Sequence, residues 1–247
     1  MQASQNFTRL AGALADAFTL YVPDRRGRGL SGEVGNAYSL QKECEDLEAL
    51  LAKTDAHFVF GLSSGALIAL EGALTLPGIR KVALYEPPII VAGHASPMHW
   101  VARYDRELAQ GHLAAAMVSV LKGTGDPDVF SSLPRFFLVP LMGFAIQSDA
   151  GNIQGDQVPI EKLIPTIHYD AQLPMPIETL DLKALKADVL LLGGTKSQAF
   201  LKAAMDALAS RLPQAKRVQL AGVGHMAADD TGKPERVAVE LQEFFSE

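Results

Sequence analysis

Cysteine is almost absent from this chain: Cys44 is the single example among 247 residues. One thiol can form neither an intramolecular disulfide nor a cysteine-rich zinc site, and this lack is typical of a reducing, cytoplasmic location. Acidic residues flank it on both sides, with Glu43 before it and Glu45 after it. Because negative neighbours disfavour a thiolate, we expect Cys44 to be a buried structural residue.

Excess positive charge is also absent. The chain has 22 Lys and Arg residues against 28 Asp and Glu residues, which gives a formal net charge of -6. A nucleic-acid-binding surface needs clustered Lys and Arg residues to neutralise phosphates, so we predict no nucleic-acid partner. No apolar run reaches membrane-spanning length and the first residues lack a signal-peptide pattern, so we predict no membrane partner either.

Patterns that hold metals or nucleotides are missing as well. His94, His99, His112 and His168 show no spacing such as H-x-x-x-H, and we therefore predict no metal site. The glycine-rich stretches contain neither G-x-G-x-x-G after a strand nor a Walker lysine, so no nucleotide cofactor is indicated. The remaining prediction is a protein that acts on a small molecule without a cofactor.

Hydrophobic residues make up 48% of the chain, which is enough to form the core of a globular domain. Strand and helix signals alternate, as is typical of a parallel sheet with crossover helices on both faces. Strands are predicted at 18–22, 57–60, 81–85, 188–192 and 217–220. Helices are predicted at 5–16, 39–54, 64–76 and 234–245, with Ser39 as an N-cap and Pro234 in a first turn.

The stretch 88–187 contains no convincing strand. Its helical patches lie at 100–109, 112–122, 134–147 and 159–168. At about a hundred residues it is too long for an ordinary connection, so we predict a helical insertion. We call 88–187 the cap segment, and expect 1–87 and 188–247 to form one core domain.

Residues Gly61 to Gly65 read Gly-Leu-Ser-Ser-Gly and match the motif G-x-S-x-G. A predicted strand enters the motif and a predicted helix leaves it, so Ser63 should lie on a tight turn with its hydroxyl exposed. The flanking glycines allow the close backbone approach that such a turn requires. We predict Ser63 as a nucleophile and the N–H of Ser64 as an oxyanion donor.

His225 lies between the last predicted strand and the last predicted helix. A serine hydroxyl is a poor nucleophile unless a base accepts its proton, and histidine suits that role near neutral pH. The order of serine early and histidine late agrees with the G-x-S-x-G pattern. We therefore predict His225 as the general base.

These features resemble the α/β-hydrolase superfamily over most of the chain. The run Asp24 to Ser31 is similar to the family's loop after its fourth strand, which implies that Asp24 and Arg28 brace a turn and that the arginines bind no external anion. The resemblance makes 61–65 the nucleophile elbow and 88–187 the lid between the sixth and seventh strands of a mainly parallel sheet.

The family usually places the acid that orients the histidine after the seventh strand, but Gly193 to Gln198 contain no carboxylate. Some family members place the acid after the sixth strand, where this chain has Glu86. The resemblance therefore favours Glu86, with Asp170, Asp229 or a Ser–His dyad as alternatives. Asp206 is expected to lie in a helix and to point toward solvent. Another interpretation of Glu86 is a partner for backbone N–H groups of the adjacent proline turn.

The chain also departs from the family at its beginning. Three strands normally precede the helix predicted here at 5–16, and a loop among them supplies a second oxyanion donor. The first six residues read like the interior of a loop. We therefore expect either missing N-terminal residues or a rearranged sheet, and weaker catalysis in the first case.

Trp100, Phe137, Leu141 and Phe144 are the apolar residues of the cap segment that we predict to line a substrate pocket, with packing inside the cap as the alternative. The predicted reaction is hydrolysis of a small hydrophobic ester. Lactonases, C–C bond hydrolases and haloperoxidases of this fold remain alternatives, as does a non-catalytic ligand-binding relative. The sequence leaves open whether the protein forms a homodimer.

Overall fold

The computed structural model describes residues 2–96, 98–124, 132–153 and 155–247. The strands are β1 Phe58–Leu62, β2 Lys81–Tyr85, β3 Asp188–Gly194 and β4 Lys216–Leu220. The helices are α1 Thr8–Leu14, α2 Leu40–Thr54, α3 Ser64–Thr75, α4 Val101–Ala109, α5 Leu113–Thr124, α6 Arg135–Ala150, α7 Ile160–Leu163, α8 Ile167–Asp170, α9 Ala199–Arg211 and α10 Pro234–Ser246. A 3-10 turn, Ser4–Phe7, lies within the first residues, which were predicted to form a loop.

The sheet is parallel throughout, and its order is β1-β2-β3-β4. The register aligns Leu62 with Tyr85, Tyr85 with Leu192, and Gly194 with Leu220. The carboxyl ends of the four strands therefore lie side by side, and we call this side the carboxyl-terminal edge of the sheet. The residues that follow them in sequence are brought together there.

Both faces of the sheet are covered, because alternate residues of a strand point to opposite sides. Val82 and Leu84 of β2 pack in a core shared with α2, α3 and α9. Ala83 and Tyr85 pack in a second core shared with α1 and α10. Burial on both faces explains why these strands read as continuous apolar runs. The predicted α/β architecture, with helices on both faces, is confirmed.

Two helices of the core begin where their sequence signals predict. The hydroxyl oxygen of Ser39 accepts a hydrogen bond from the Lys42 N–H at 3.3 Å and caps α2. Pro234 is the first residue of α10, where a missing N–H costs no intrahelical hydrogen bond. Local capping chemistry therefore sets both starts.

The strand predicted at 18–22 is wrong. These residues form no strand, and Leu20, Tyr21 and Val22 are exposed to 37%, 50% and 39%. The run has the composition of a strand, but no strand within the described ranges pairs with it. Without such a neighbour its backbone groups cannot enter a ladder. β1 consequently lies at an edge of the described sheet, and Phe58 is 41% exposed.

The cap segment has a core of its own. Trp100, Tyr104, Ala116, Ile146 and Ile164 pack together in it, joined by the hydrogen bond from the Tyr104 hydroxyl to the Ile164 carbonyl at 2.7 Å. This set draws on α4, α5, α6 and the turn that follows α7. The helices of the insertion therefore stabilise one another.

The helical patches predicted in the cap segment are present, with one interruption. The patch predicted at 159–168 is divided into α7, a 3-10 turn Ile164–Thr166, and α8. Pro165 lies at the division, where its missing N–H prevents a continuous helix. Among the described helices, none combines the length and apolar character that a bilayer crossing requires.

Cys44 provides a direct test of this packing. The residue is 3% exposed in the core formed with α3, and burial, together with the nearby carboxylates of Glu71 and Glu43, raises the pKa of its thiol to about 12. We expect a thiol reagent such as DTNB to modify the native protein at least about 100-fold more slowly than the urea-unfolded chain. Rapid stoichiometric modification of the native protein would contradict this packing.

Candidate active site

The carboxyl-terminal edge of the sheet carries the residues predicted for catalysis. Ser63 follows β1, Glu86 follows β2, and His225 lies in the loop after β4. Ligands of open α/β sheets bind outside the carboxyl ends of the strands. The parallel register thus brings all three residues to the edge where a ligand site is expected.

Ser63 lies in a tight turn between β1 and α3, with φ 57° and ψ -120°. Positive φ is unfavourable for a residue with a side chain, so surrounding interactions must hold it. One of them is the hydrogen bond from the Ser63 N–H to the Tyr85 carbonyl oxygen, at 2.9 Å. The turn also requires Gly61, since a Cβ there would lie 2.3 Å from the Gly65 carbonyl oxygen. The strand–turn–helix expected from the motif is present.

Glu86 and His225 form a buried hydrogen-bonded pair. Nδ1 of His225 lies 2.9 Å from Oε2 of Glu86, and the two residues are 6% and 1% exposed. Oε1 of Glu86 accepts a second hydrogen bond from the Gly194 N–H at 2.7 Å. A carboxylate is a hydrogen-bond acceptor, so this contact places the imidazole proton on Nδ1. Both oxygens of the buried carboxylate are thereby satisfied.

The backbone brings Glu86 to this position in an unusual conformation. Its φ is 47°, and its N–H donates to the Leu192 carbonyl oxygen at 3.1 Å, which continues the pairing of β2 with β3. Gly193 leaves room for the side chain, because a Cβ there would lie 2.9 Å from Oε1 of Glu86. The end of β3 is therefore shaped around the carboxylate.

The loop that carries His225 is fixed to the same strand ends. The Tyr85 hydroxyl donates to the Gly224 carbonyl oxygen at 2.7 Å. The Lys196 N–H donates to the Val223 carbonyl oxygen at 2.9 Å. These bonds restrain the two residues before His225, so the imidazole is positioned by its own backbone as well as by Glu86.

The other carboxylates considered from the sequence lie in different interactions. Oδ1 of Asp229 accepts from the N–H and hydroxyl of the second residue after it, at 2.9 and 2.6 Å. Asp206 lies in α9 with its side chain 69% exposed, as expected, and pairs with an arginine of β4. Asp170 receives a hydrogen bond from Ser64 at 2.8 Å. Of these carboxylates and Glu86, the structure pairs Glu86 with Nδ1 of the histidine.

The loop Asp24 to Ser31 is braced by hydrogen bonds to its own backbone and to neighbouring segments. Oδ1 of Asp24 accepts from the Ser4 N–H at 2.7 Å, and Oδ2 accepts from the Leu30 N–H at 3.0 Å. Nη2 of Arg28 donates to Asp170 at 2.7 Å. The bracing role expected for Asp24 and Arg28 agrees with these contacts.

Sequence reasoning missed one group next to the elbow. Nη1 of Arg25 lies 3.1 Å from Oγ of Ser64 and 2.8 Å from Oδ1 of Asp170, and the same guanidinium forms two hydrogen bonds with Glu43. A signal was present in the sequence. Glu43 directly precedes Cys44, which the sequence predicts to be buried. In the structure Glu43 is itself only 4% exposed, and a buried carboxylate needs a positively charged partner inside the protein.

The apolar residues predicted to line a pocket are placed differently from one another. Trp100 is buried inside the cap segment, with its ring centroid 5.6 Å from that of Tyr104. Phe137, Leu141 and Phe144 lie on α6 and are exposed to 59%, 49% and 70%. Trp100 thus packs the cap core, while the lining role of the α6 residues stays a prediction.

A model of the alpha/beta hydrolase family matches residues 3–240. The chain therefore belongs to the alpha/beta hydrolase family, and the resemblance inferred from its motifs is confirmed.

Particular relatives are moderately similar. The chain is 28% identical to a pimeloyl-[acyl-carrier protein] methyl ester esterase of Stenotrophomonas maltophilia strain K279a, covering 96% of this chain and 86% of that protein. An alpha/beta hydrolase structure from Sphaerobacter thermophilus DSM 20745 superposes with a TM-score of 0.76 at 30% identity, over 99% of this chain and 88% of that one. The structure of the 2-hydroxy-6-oxo-6-phenylhexa-2,4-dienoate hydrolase of Rhodococcus sp. strain RHA1 superposes with a TM-score of 0.68 at 20% identity, over 100% of this chain and 86% of that one. At this identity the similarity supports the fold alone.

The elbow geometry predicts opposite outcomes for its two glycines. Gly61→Ala should cost at least about 2 kcal/mol in the free energy of unfolding, because the new methyl group meets the Gly65 carbonyl. Gly65→Ala is the matched control: a Cβ there meets nothing within 4 Å, so its unfolding free energy should be unchanged or slightly higher. Urea unfolding followed by circular dichroism measures both. Equal stability of the two variants would contradict the close approach at Gly61.

Proposed function

We propose that this protein is a serine hydrolase that cleaves small hydrophobic carboxylic esters through an acyl-enzyme. Membership of the alpha/beta hydrolase family and similarity to an esterase support a hydrolase. The observation that carries the proposal is the buried Glu86–His225 hydrogen bond at the sheet edge that also presents the Ser63 elbow. Such a pair is what a serine needs in order to become a nucleophile.

In the first half-reaction, Oγ of Ser63 attacks the carbonyl carbon of the ester while Nε2 of His225 accepts the hydroxyl proton. The carbonyl oxygen becomes an oxyanion and accepts a hydrogen bond from the Ser64 N–H. Ser64 begins α3, and the first N–H groups of a helix have no partner within it. The C–O bond then breaks, the histidine returns the proton to the leaving alcohol, and the acyl group remains on Ser63.

In the second half-reaction, His225 removes a proton from water, and the water oxygen attacks the acyl carbon. The bond between Oγ of Ser63 and the acyl carbon then breaks, and the histidine returns the proton to Oγ. Glu86 acts through the histidine in both halves. Its carboxylate keeps one proton on Nδ1, which leaves Nε2 free to act as the base. The same carboxylate stabilises the imidazolium while Nε2 carries the second proton. The products are a carboxylic acid and an alcohol.

The substrate class rests on two kinds of support. The Stenotrophomonas relative is named as an esterase of a methyl ester, which favours an ester with a small alcohol for this chain. The apolar residues Phe137, Leu141 and Phe144 of α6 would supply contacts for the acyl group. We place the protein in the cytoplasm because its single cysteine is a buried free thiol. Its proposed partner is the small-molecule ester itself.

Labelling by a fluorophosphonate probe, followed by peptide mass spectrometry, tests the nucleophile. We expect a stable adduct on Ser63 that is lost in Ser63→Ala, and a labelling rate that falls at least about 1,000-fold in His225→Ala because the serine loses its base. A folded wild-type protein that binds the probe reversibly without any adduct would favour the non-catalytic ligand-binding alternative. Cleavage of a C–C substrate in preference to p-nitrophenyl esters would reassign the reaction class.

The orienting acid is tested by Glu86→Gln. Because the amide can present its NH₂ group to the histidine and stabilises no imidazolium, kcat for p-nitrophenyl acetate should fall about 100- to 10,000-fold. Asp229→Asn serves as the matched control: it neutralises another buried acid, one whose Oδ1 is bonded within its own turn, and should keep kcat within about threefold. If Asp229→Asn instead removed activity and Glu86→Gln preserved it, the assignment of the acid would be reversed.

A further inference from the structure

The side chain of Ser64 is held from two directions. Its hydroxyl donates to Oδ1 of Asp170 at 2.8 Å and accepts from Nη1 of Arg25 at 3.1 Å. A hydroxyl that both donates and accepts has its rotamer fixed. Ser64 directly follows the proposed nucleophile Ser63, so these contacts bear on the backbone N–H assigned above to the oxyanion.

Asp170 reaches this point from the cap segment, as the last residue of α8. Its Oδ1 also accepts from Nη2 of Arg28 at 2.7 Å and from Nη1 of Arg25 at 2.8 Å. Burial alone would raise the pKa of Asp170, but the surrounding positive charges, those of Arg28 and Arg25 among them, hold it well below its usual range. The carboxylate is therefore charged at neutral pH and ties the cap segment to the elbow.

Ser64, Asp170, Arg25, Arg28 and Glu43 form what we call the elbow cluster, and Glu43 adds to its rigidity. Glu43 forms two hydrogen bonds with the Arg25 guanidinium, at 3.1 and 2.6 Å, and accepts a third from the Tyr38 hydroxyl at 2.8 Å. Arg25 and Arg28 are paired with the carboxylates of Glu43 and Asp170. Because each of these carboxylates is bonded to a guanidinium, the cluster is suited to holding a position.

We propose that Asp170 and Arg25 are positioning residues for the oxyanion donor: by fixing the Ser64 side chain they hold its N–H in place, and they make that geometry depend on contact with the cap segment. This inference rests on the proposed function and goes beyond it, because it adds a cap residue to the machinery of the elbow. A preorganised donor is effective only where its geometry is held, and small displacements reduce rates strongly.

The chain contains a matched cluster that lies wholly within the cap segment. Ser119 donates to Glu107 at 2.6 Å and accepts from Arg135 at 3.0 Å, while Arg135 and Arg103 both bond Glu107, at 2.6 and 3.0 Å. Like Ser64, Asp170, Arg25 and Arg28, it combines a serine, an acid and two arginines. Ser119→Ala and Glu107→Gln therefore control for the general effect of breaking such a network.

The experiment is a double-mutant cycle of Ser64→Ala and Asp170→Asn, with kcat and KM measured on p-nitrophenyl acetate and melting temperature measured beside them. Each single variant should lower kcat about 10-fold with KM changed less than about twofold. The double variant should lose no more than either single variant, because both substitutions weaken the same hydrogen bond, the one between the Ser64 hydroxyl and Asp170. Ser64→Thr, which keeps a hydroxyl, should recover most of the rate, and the two controls should keep kcat within about twofold.

Amide hydrogen exchange in the peptide that contains Ser63 to Ala66 gives a readout that does not need turnover. Exchange should accelerate about 10-fold in Ser64→Ala and Asp170→Asn, and not in Glu107→Gln. If Ser64→Ala and Asp170→Asn changed neither the exchange rate nor kcat, the inference would be overturned. It would also be overturned if kcat fell only in proportion to the melting temperature and fell equally in the two controls. If the wild type takes no probe on Ser63, the proposed function fails, and the exchange experiment still decides whether Asp170 positions the elbow.

Discussion

The parallel pairing of β1 to β4 determines where the functional residues of this protein meet. Because the four strands run in one direction and stay in register, the residues after them meet at one edge although they are distant in sequence. Glu86 and His225 are 139 positions apart and still form a hydrogen bond. The elbow at Ser63 is held to the neighbouring strand by the same pairing, through the Tyr85 carbonyl.

The position of the acid follows from the shape of two loops. The segment 195–198 that follows β3 contains no carboxylate. Its buried side chain is that of Ser197, which is 1% exposed. Glu86 instead turns across the end of β3, with positive φ and a hydrogen bond from the Gly194 N–H. Gly193 is the residue that permits this, because a side chain there would meet the carboxylate. The acid can therefore follow β2 without moving the histidine.

Local signals predicted much of this architecture. Strand composition, the Ser39 cap and Pro234 placed β1 to β4, α2 and α10 to within a few residues, and G-x-S-x-G placed the elbow, because each depends on chemistry within one short segment. The segment 18–22 was wrong for the opposite reason: a strand also needs a neighbour, which composition does not encode. The Arg25 cluster was missed because its partners come from separate parts of the chain, including Asp170 of the cap segment.

The proposed mechanism requires Ser63 to carry the acyl group during turnover. An acid-quenched reaction with p-nitrophenyl acetate, followed by peptide mass spectrometry, detects that group. We expect an acetyl group on Ser63 during the first turnover, and no acetyl group when His225 is replaced by alanine. Release of p-nitrophenol at the wild-type rate with no acetyl group on Ser63, or with the acetyl group on another residue, would contradict it.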